Sequence, residues 1–150
     1  MVTPRFKKLK KVLVKLCVIK IGRPATPEAK TLAHLYLQRM KPFTALESLE
    51  VKDAWKPEPG FLVTLEEKGK SLSSQTLAKQ LQKWIDDPGL KRLNFVIGGP
   101  YGLPAELTAQ SNFSWSLSAA TLPSDLAWVL ACEQLYRAFT LLKGMPYHHA

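Results

Sequence analysis

Cysteine is scarce in this 150-residue chain: Cys17 and Cys132 are the only two, too few to frame a disulfide scaffold. Cys17 falls in an apolar strand-like run and Cys132 in a helix-like one, so both are expected to be buried free thiols of a reducing compartment. No Cys-His spacing suits a zinc site, and no segment approaches the apolar length of a membrane span. Internal repeats and low-complexity tracts are absent. So are a G-x-G-x-x-G dinucleotide loop and a Walker loop with its Gly-Lys-Ser/Thr ending. These absences disfavour metal-built, membrane-embedded and repeat proteins and the usual dinucleotide and P-loop folds. What remains is a cytoplasmic globular protein with one domain's worth of chain, residues 1–150.

Acidic residues are also few, 12 against 21 basic ones, giving a net charge of +9 and a pI near 9.7. A polyanion is the partner such a surface attracts at long range. Arg5, Lys7, Lys8, Lys10, Lys11 and Lys15 crowd the start, whereas much of the acid lies between Glu47 and Asp87. The start lacks the apolar core and cleavage site of a secretory signal and is poor in Arg and Ser for an organellar one. Residues 1–10 therefore read as a basic extension that supplements attraction to the polyanion.

Val12 to Ile21 reads as a first strand ending at Gly22. Thr26 and Pro27 open a helix whose spacing is carried by Leu32, Leu35, Tyr36 and Arg39-Met40, and Pro42 stops it. Thr44 to Val51 is a second strand, and Lys56-Pro57-Glu58-Pro59-Gly60 breaks the chain. Phe61 to Leu65 is a short buried strand and Glu66 to Ser71 a polar loop. Ser73 caps a helix with Leu77, Leu81, Trp84 and Ile85 on its apolar face. Leu93 to Ile97, a brief helix from Pro104, and a fifth strand from Phe113 to Leu117 follow. Pro123 takes the first position of the last helix, whose buried face is Leu126, Val129, Leu130, Leu135, Tyr136, Phe139 and Leu142. Alternation of strands and helices gives an α/β sandwich around a mainly parallel sheet.

In such a sheet ligands bind at the carboxyl ends of the strands. Three loops qualify: after Leu65, from Gly98 to Gly102, and from Leu117 to Leu122. The glycines at 98, 99 and 102 let the backbone come close to a ligand. Trp115, Trp128 and Tyr136, at apolar spacing, are expected in the core or an interface, and His34 on the surface.

Several motifs in order carry a family resemblance. Val96-Ile97-Gly98-Gly99-Pro100-Tyr101-Gly102-Leu103 is followed by Ser114-Trp115-Ser116-Leu117-Ser118 with Thr121-Leu122-Pro123. Then come Glu133-Gln134-Leu135-Tyr136-Arg137-Ala138 and Pro146-Tyr147-His148-His149. Together with Val63-Thr64-Leu65-Glu66 they resemble the RlmH-type ribosomal RNA methyltransferases of the SPOUT superfamily. The resemblance implies a three-layer sandwich with a C-terminal trefoil knot, one of the rare departures from unknotted folds. It implies a homodimer, S-adenosyl-L-methionine as cofactor, and a pseudouridine in the helix 69 loop of 23S rRNA, within the ribosome, as substrate. Carried onto this chain, the cofactor positions are Leu65, Gly98, Leu117, Ser118, Ala119, Ala120, Thr121 and Leu122. The candidate catalytic residues are Arg137, Tyr147 and His148. Positioning dominates such a reaction, aided by a base or a cation near the ring nitrogen N3.

Three features depart from the family pattern. Val51 to Gly60 leaves no room for the helix that usually precedes the Val-Thr-Leu strand. His149 stands where the terminal Tyr-His-Arg pattern has a permanent cation. The basic lead-in precedes the usual first strand. Two alternatives stay open: a non-catalytic knotted RNA-binding or ribosome-associated module, and a SPOUT methyltransferase with another RNA target such as transfer RNA. On the residues alone, Arg137 could equally be the i, i+4 partner of Glu133, and His148 and His149 a frayed end.

Overall fold

The structure is a computed structural model that describes residues 12–52 and 55–149; the extension read over residues 1–10 lies outside them. Five strands form one sheet: β1 (Val12–Ile21), β2 (Thr44–Val51), β3 (Phe61–Ser71), β4 (Arg92–Ile97) and β5 (Phe113–Ser116). Their order is β2-β1-β4-β3-β5, and every adjacent pair is parallel. All carboxyl ends therefore meet at one edge. Four helices complete the fold: α1 (Pro27–Met40), α2 (Ser74–Asp86), α3 (Ala105–Gln110) and α4 (Ser124–Leu142).

β1 shows why the sheet is covered on both faces. Val14, Leu16 and Val18 point into the larger core, while Cys17, Ile19 and Ile21 point into a smaller one. A near-continuous apolar run is what a parallel strand buried on both sides requires. On the larger face α4 lies between α1 and α2, contributing Trp128, Cys132, Leu135 and Phe139. On the smaller face Leu107 of α3 and the half-buried Leu49, Val51, Trp55 and Leu103 provide the cover. The third layer of the sandwich is thus thin, and no helix separates β2 from β3 among the described residues. The short connection is held instead by buried Arg92. Its Nε donates to Asn94 Oδ1 at 2.9 Å, and its guanidinium lies 3.4 Å from Glu58 and 3.6 Å from Glu47. Asn94 in turn donates to the Glu58 carbonyl at 3.1 Å.

Thr26 and Ser73 cap α1 and α2 as expected, accepting from the amides of Ala29 and Thr76 at 3.3 and 3.1 Å. Pro123 is the N-cap of α4 rather than its first residue. Other expectations need larger correction. Leu32 and Leu35 are exposed, and the buried stripe of α1 is Ala29, Ala33, Leu37 and Met40. That stripe has equally good helical spacing, and its alanines let α1 approach α4 closely. Leu126 and Leu130 of α4 are likewise exposed, their places in the core taken by Trp128, Ala131 and Cys132. The segment Glu66–Ser71 is strand, not loop. β3 breaks register against β5 between Leu65 and Lys70, then resumes with Lys70 opposite Trp115 and Ser71 opposite Ser116. Renewed pairing with β5 at Lys70 and Ser71 ties down the end of this polar stretch whatever its side-chain pattern.

Candidate functional site

At the carboxyl edge the stretch of β3 from Leu65 to Lys68 and the loops after β4 and β5 enclose a cavity of about 1110 Å³. Leu65, Gly98, Leu117, Ser118, Ala120, Thr121 and Leu122 line it. Ala119 belongs to the same loop but is exposed and forms no part of the wall.

Local chemistry explains each wall. Leu65 is the last residue of β3 before the register break. Gly98 ends the apolar run of β4 where the chain folds back on itself: a Cβ there would stand 2.7 Å from the carbonyl carbon of Gly102. Gly102 donates its N–H to the Gly99 carbonyl at 3.0 Å and closes the turn. Beyond β5 the Ser116 hydroxyl donates to the Ser118 carbonyl at 3.0 Å, and Ser118 Oγ accepts from the Ala120 amide at 3.0 Å. The loop is therefore shaped by its own hydroxyls.

Sequence reasoning missed two contributors. Glu66 lies in the wall, with Oε2 accepting from the Thr64 hydroxyl at 2.8 Å and the Ser114 hydroxyl at 2.6 Å. Its place directly after Leu65 was the available signal, obscured by reading it as loop. Asp125, at the start of α4, also lines the cavity and is tied to β1 and α1. One oxygen lies 3.4 Å from the ammonium of buried Lys20, and the other accepts from the Thr26 amide at 3.0 Å. Apolar Leu65, Leu117 and Leu122 beside a carboxylate, hydroxyls and exposed backbone suit a flat heterocycle carrying a polar tail, and the volume is ample.

Arg137, Tyr147 and His148 come together elsewhere. Glu133 Oε1 accepts from Arg137 Nε at 2.9 Å, from Arg137 Nη2 at 2.6 Å and from the Tyr147 hydroxyl at 3.1 Å. The Tyr147 ring lies 4.8 Å from the guanidinium carbon. A guanidinium only donates, so His148 Nδ1, 3.0 Å from Arg137 Nη1, is the acceptor. Its other nitrogen lies 3.0 Å from the Gln75 amide. The tail is thus packed on α4 rather than frayed through Tyr147 and His148, while His149 is exposed. Hydrogen bonds donated to Glu133 hold the Arg137 pKa above its usual value. Burial, with the Glu133 charge second, pushes the Tyr147 phenol up to about 12. None of the three lines the cavity; from Asp125 to Arg137, α4 advances about 18 Å at 1.5 Å per residue.

Trp115, Trp128 and Tyr136 are buried in the core, and His34 is exposed. Among the described residues no cluster of three or more His, Cys, Asp or Glu could hold a metal, and no helix is long and apolar enough to cross a membrane.

An all-parallel sheet whose carboxyl-edge loops wall a cavity of cofactor size defines an α/β cofactor-binding protein. Residues 14–148 match the family model described as "Predicted SPOUT methyltransferase". The chain belongs to the SPOUT methyltransferase family. It is 50% identical over 88 residues to a ribosomal RNA large subunit methyltransferase H of Maridesulfovibrio salexigens, covering 59% of this chain and 56% of that protein. That alignment spans little more than half of the relative's length. Over 136 residues it is 43% identical to the protein of the same name from Azotobacter vinelandii, covering 77% of this chain and 86% of that one. Its fold resembles a probable methyltransferase from Bordetella pertussis, with a TM-score of 0.59, 16% identity, and coverage of 85% and 95% of the two chains.

Proposed function

We propose that this chain is an S-adenosylmethionine-dependent methyltransferase of large-subunit ribosomal RNA. Its target is N3 of a pseudouridine in the helix 69 loop of 23S rRNA, on the assembled ribosome in the cytoplasm. The observation that carries this reading is the convergence of Leu65, Gly98 and the loop 117–122 on one cavity. Bound there, S-adenosylmethionine would supply an electrophilic methyl group on a sulfonium centre. Leu65, Leu117 and Leu122 would flank its heterocycle, and the backbone around Gly98, Ala120 and Thr121 would read the polar edge. The protein's own part is to align N3 with that carbon and exclude water.

Arg137 clamps a phosphate or carbonyl of the substrate and so releases His148 Nδ1, which orients the substrate or accepts the N3 proton, while Tyr147, neutral at physiological pH, packs against the guanidinium. The separation of this cluster from the cavity along α4 supports a homodimer in which the sites of two copies meet. Exposed Leu32 and Leu35 on α1 and Leu126 and Leu130 on α4, two helices packed on each other, supply an apolar surface for it. Trefoil threading of the C-terminal segment belongs to the same reading.

The test is transfer of labelled methyl from S-adenosylmethionine to ribosomes lacking the modification, followed by nucleoside mass spectrometry. We expect new methylpseudouridine in 23S rRNA and a drop of about 100-fold or more on His148→Ala. Unchanged transfer by that variant removes His148 from the reaction. His149, in place of the family's arginine, favours one competitor, a binding module without chemistry; cofactor binding with no methyl transfer to any RNA would establish it.

A further inference from the structure

The turn Gly99–Gly102 borders a second cavity of about 540 Å³, between that turn and the loop that follows β1. Both walls are fixed. Gly22, at φ +122°, sits so close to the turn that a Cβ would lie 3.1 Å from Gly99 Cα. The Gly22 amide donates to the Val51 carbonyl at 2.9 Å. Buried Lys20 donates to the Arg23 carbonyl at 2.9 Å and pins the rest of the loop. At the tip of the turn Tyr101 is 99% exposed, an orientation that contributes nothing to the core. Arg23 and Lys52 line the cavity, and among the described residues no acidic side chain does.

We propose that this second cavity is an RNA subsite, in which the Tyr101 ring stacks on an unpaired base while Arg23 and Lys52 take adjacent phosphates. The inference rests on the RNA methyltransferase reading and deepens it. Arg23 and the turn line both cavities, but among the described residues Glu66, Glu67 and Asp125 belong to the first alone and Lys52 to the second alone, so the second favours a polyanion over a cationic sulfonium donor. A ring presented to solvent at a rigid turn is what a splayed base of a single-stranded loop requires. The shared turn places that base directly beside the cofactor cavity, as a neighbour of the nucleotide to be modified must be.

The test is anisotropy of a fluorescently labelled hairpin RNA, its loop carrying pseudouridine, titrated with the whole protein. Base–aromatic stacking is lost in Tyr101→Ala, so its Kd should rise about 5- to 100-fold. Tyr101→Phe, which keeps the ring, should stay within about twofold of the native protein. The turn also borders the first cavity, but because the Tyr101 ring is 99% exposed both variants should keep S-adenosylmethionine affinity by calorimetry. Arg23→Gln and Lys52→Gln should each flatten the salt dependence of log Kd by about one unit of slope. An unchanged Kd in Tyr101→Ala overturns the stacking, as does equal weakening in Tyr101→Phe or loss of cofactor affinity. Unchanged salt slopes overturn the phosphate contacts. If the native protein binds the hairpin with this ranking yet methylates no ribosome, the methyl-transfer reading fails and the subsite stands; if it binds no RNA, both fail.

Discussion

Lys20 is 2% exposed, and a buried ammonium is stable only with partners. It has two: the Arg23 carbonyl and Asp125. Asp125 has a second task, accepting the Thr26 amide at the start of α1. One carboxylate thus joins β1, α1 and α4 where both cavities open. Replacing Asp125 by alanine leaves the buried ammonium with the Arg23 carbonyl alone and removes the acceptor of the Thr26 amide. Breaking a fully buried pair costs about 3–5 kcal/mol; Asp125 is partly solvated, so about 2 kcal/mol is the expected loss in urea unfolding. Lys20→Met, which removes the charge with its shape kept, should cost less than Asp125→Ala. Equal losses would mean that the charge is not what matters. This contact was invisible in the sequence, because Thr26 and Asp125 are 99 positions apart and no local rule links them. Arg137 and Glu133 are the opposite case: their i, i+4 spacing alone announced the pair.

Elements were legible where local pattern and tertiary demand coincide. β1 and β4 carry apolar runs bounded by glycine or polar residues, and the caps of α1 and α2 are read from hydroxyl side chains alone. β3 was half legible, since its apolar part obeys its own pattern and its polar part obeys β5. The helical faces failed for a specific reason. Leucine weighs more than alanine in any hydrophobic pattern, yet the α1–α4 contact favours the smaller side chain. Ala33 is fully buried and Leu35 is 42% exposed. Ala33→Leu should therefore overpack the contact and cost about 1–3 kcal/mol, whereas Leu35→Ala should change stability by no more than about 0.5 kcal/mol. Denaturant midpoints of the two variants decide it, and the reverse order would restore the leucine face to the core. At the site the loops were legible because glycine, serine and proline mark strand ends, and Glu66 was not because it sat inside a strand read as too short.

For the whole molecule, alkaline pH sets two effects against each other. Raising pH toward the pI near 9.7 removes the excess of +9, which relieves self-repulsion and favours the compact state. Buried acids act the other way. Burial pushes Cys17 from its ordinary 9.0 to about 11 and Cys132 to about 12, so both thiols stay protonated in the fold while the unfolded chain releases them. Above pH 9 the unfolded state therefore binds fewer protons, and stability falls with rising pH. The thiol contribution is whole below pH 9 and is lost between about 9 and the folded values, with Tyr147 adding the same trend from pH 10 to about 12. Each pKa unit corresponds to about 1.4 kcal/mol, several times what a screened surface charge contributes, so the buried acids win. Urea unfolding at pH 7, 9 and 10.5 should show stability declining above pH 9. The decline should be shallower from pH 9 to 10.5 in a Cys17→Ala, Cys132→Ala double variant, even though that variant starts lower for its lost packing. Parallel curves for the two proteins would assign the alkaline loss to surface charge instead. The same burial predicts that neither thiol reacts with a disulfide reagent at pH 8 except through unfolding, with a rate that follows denaturant rather than reagent concentration.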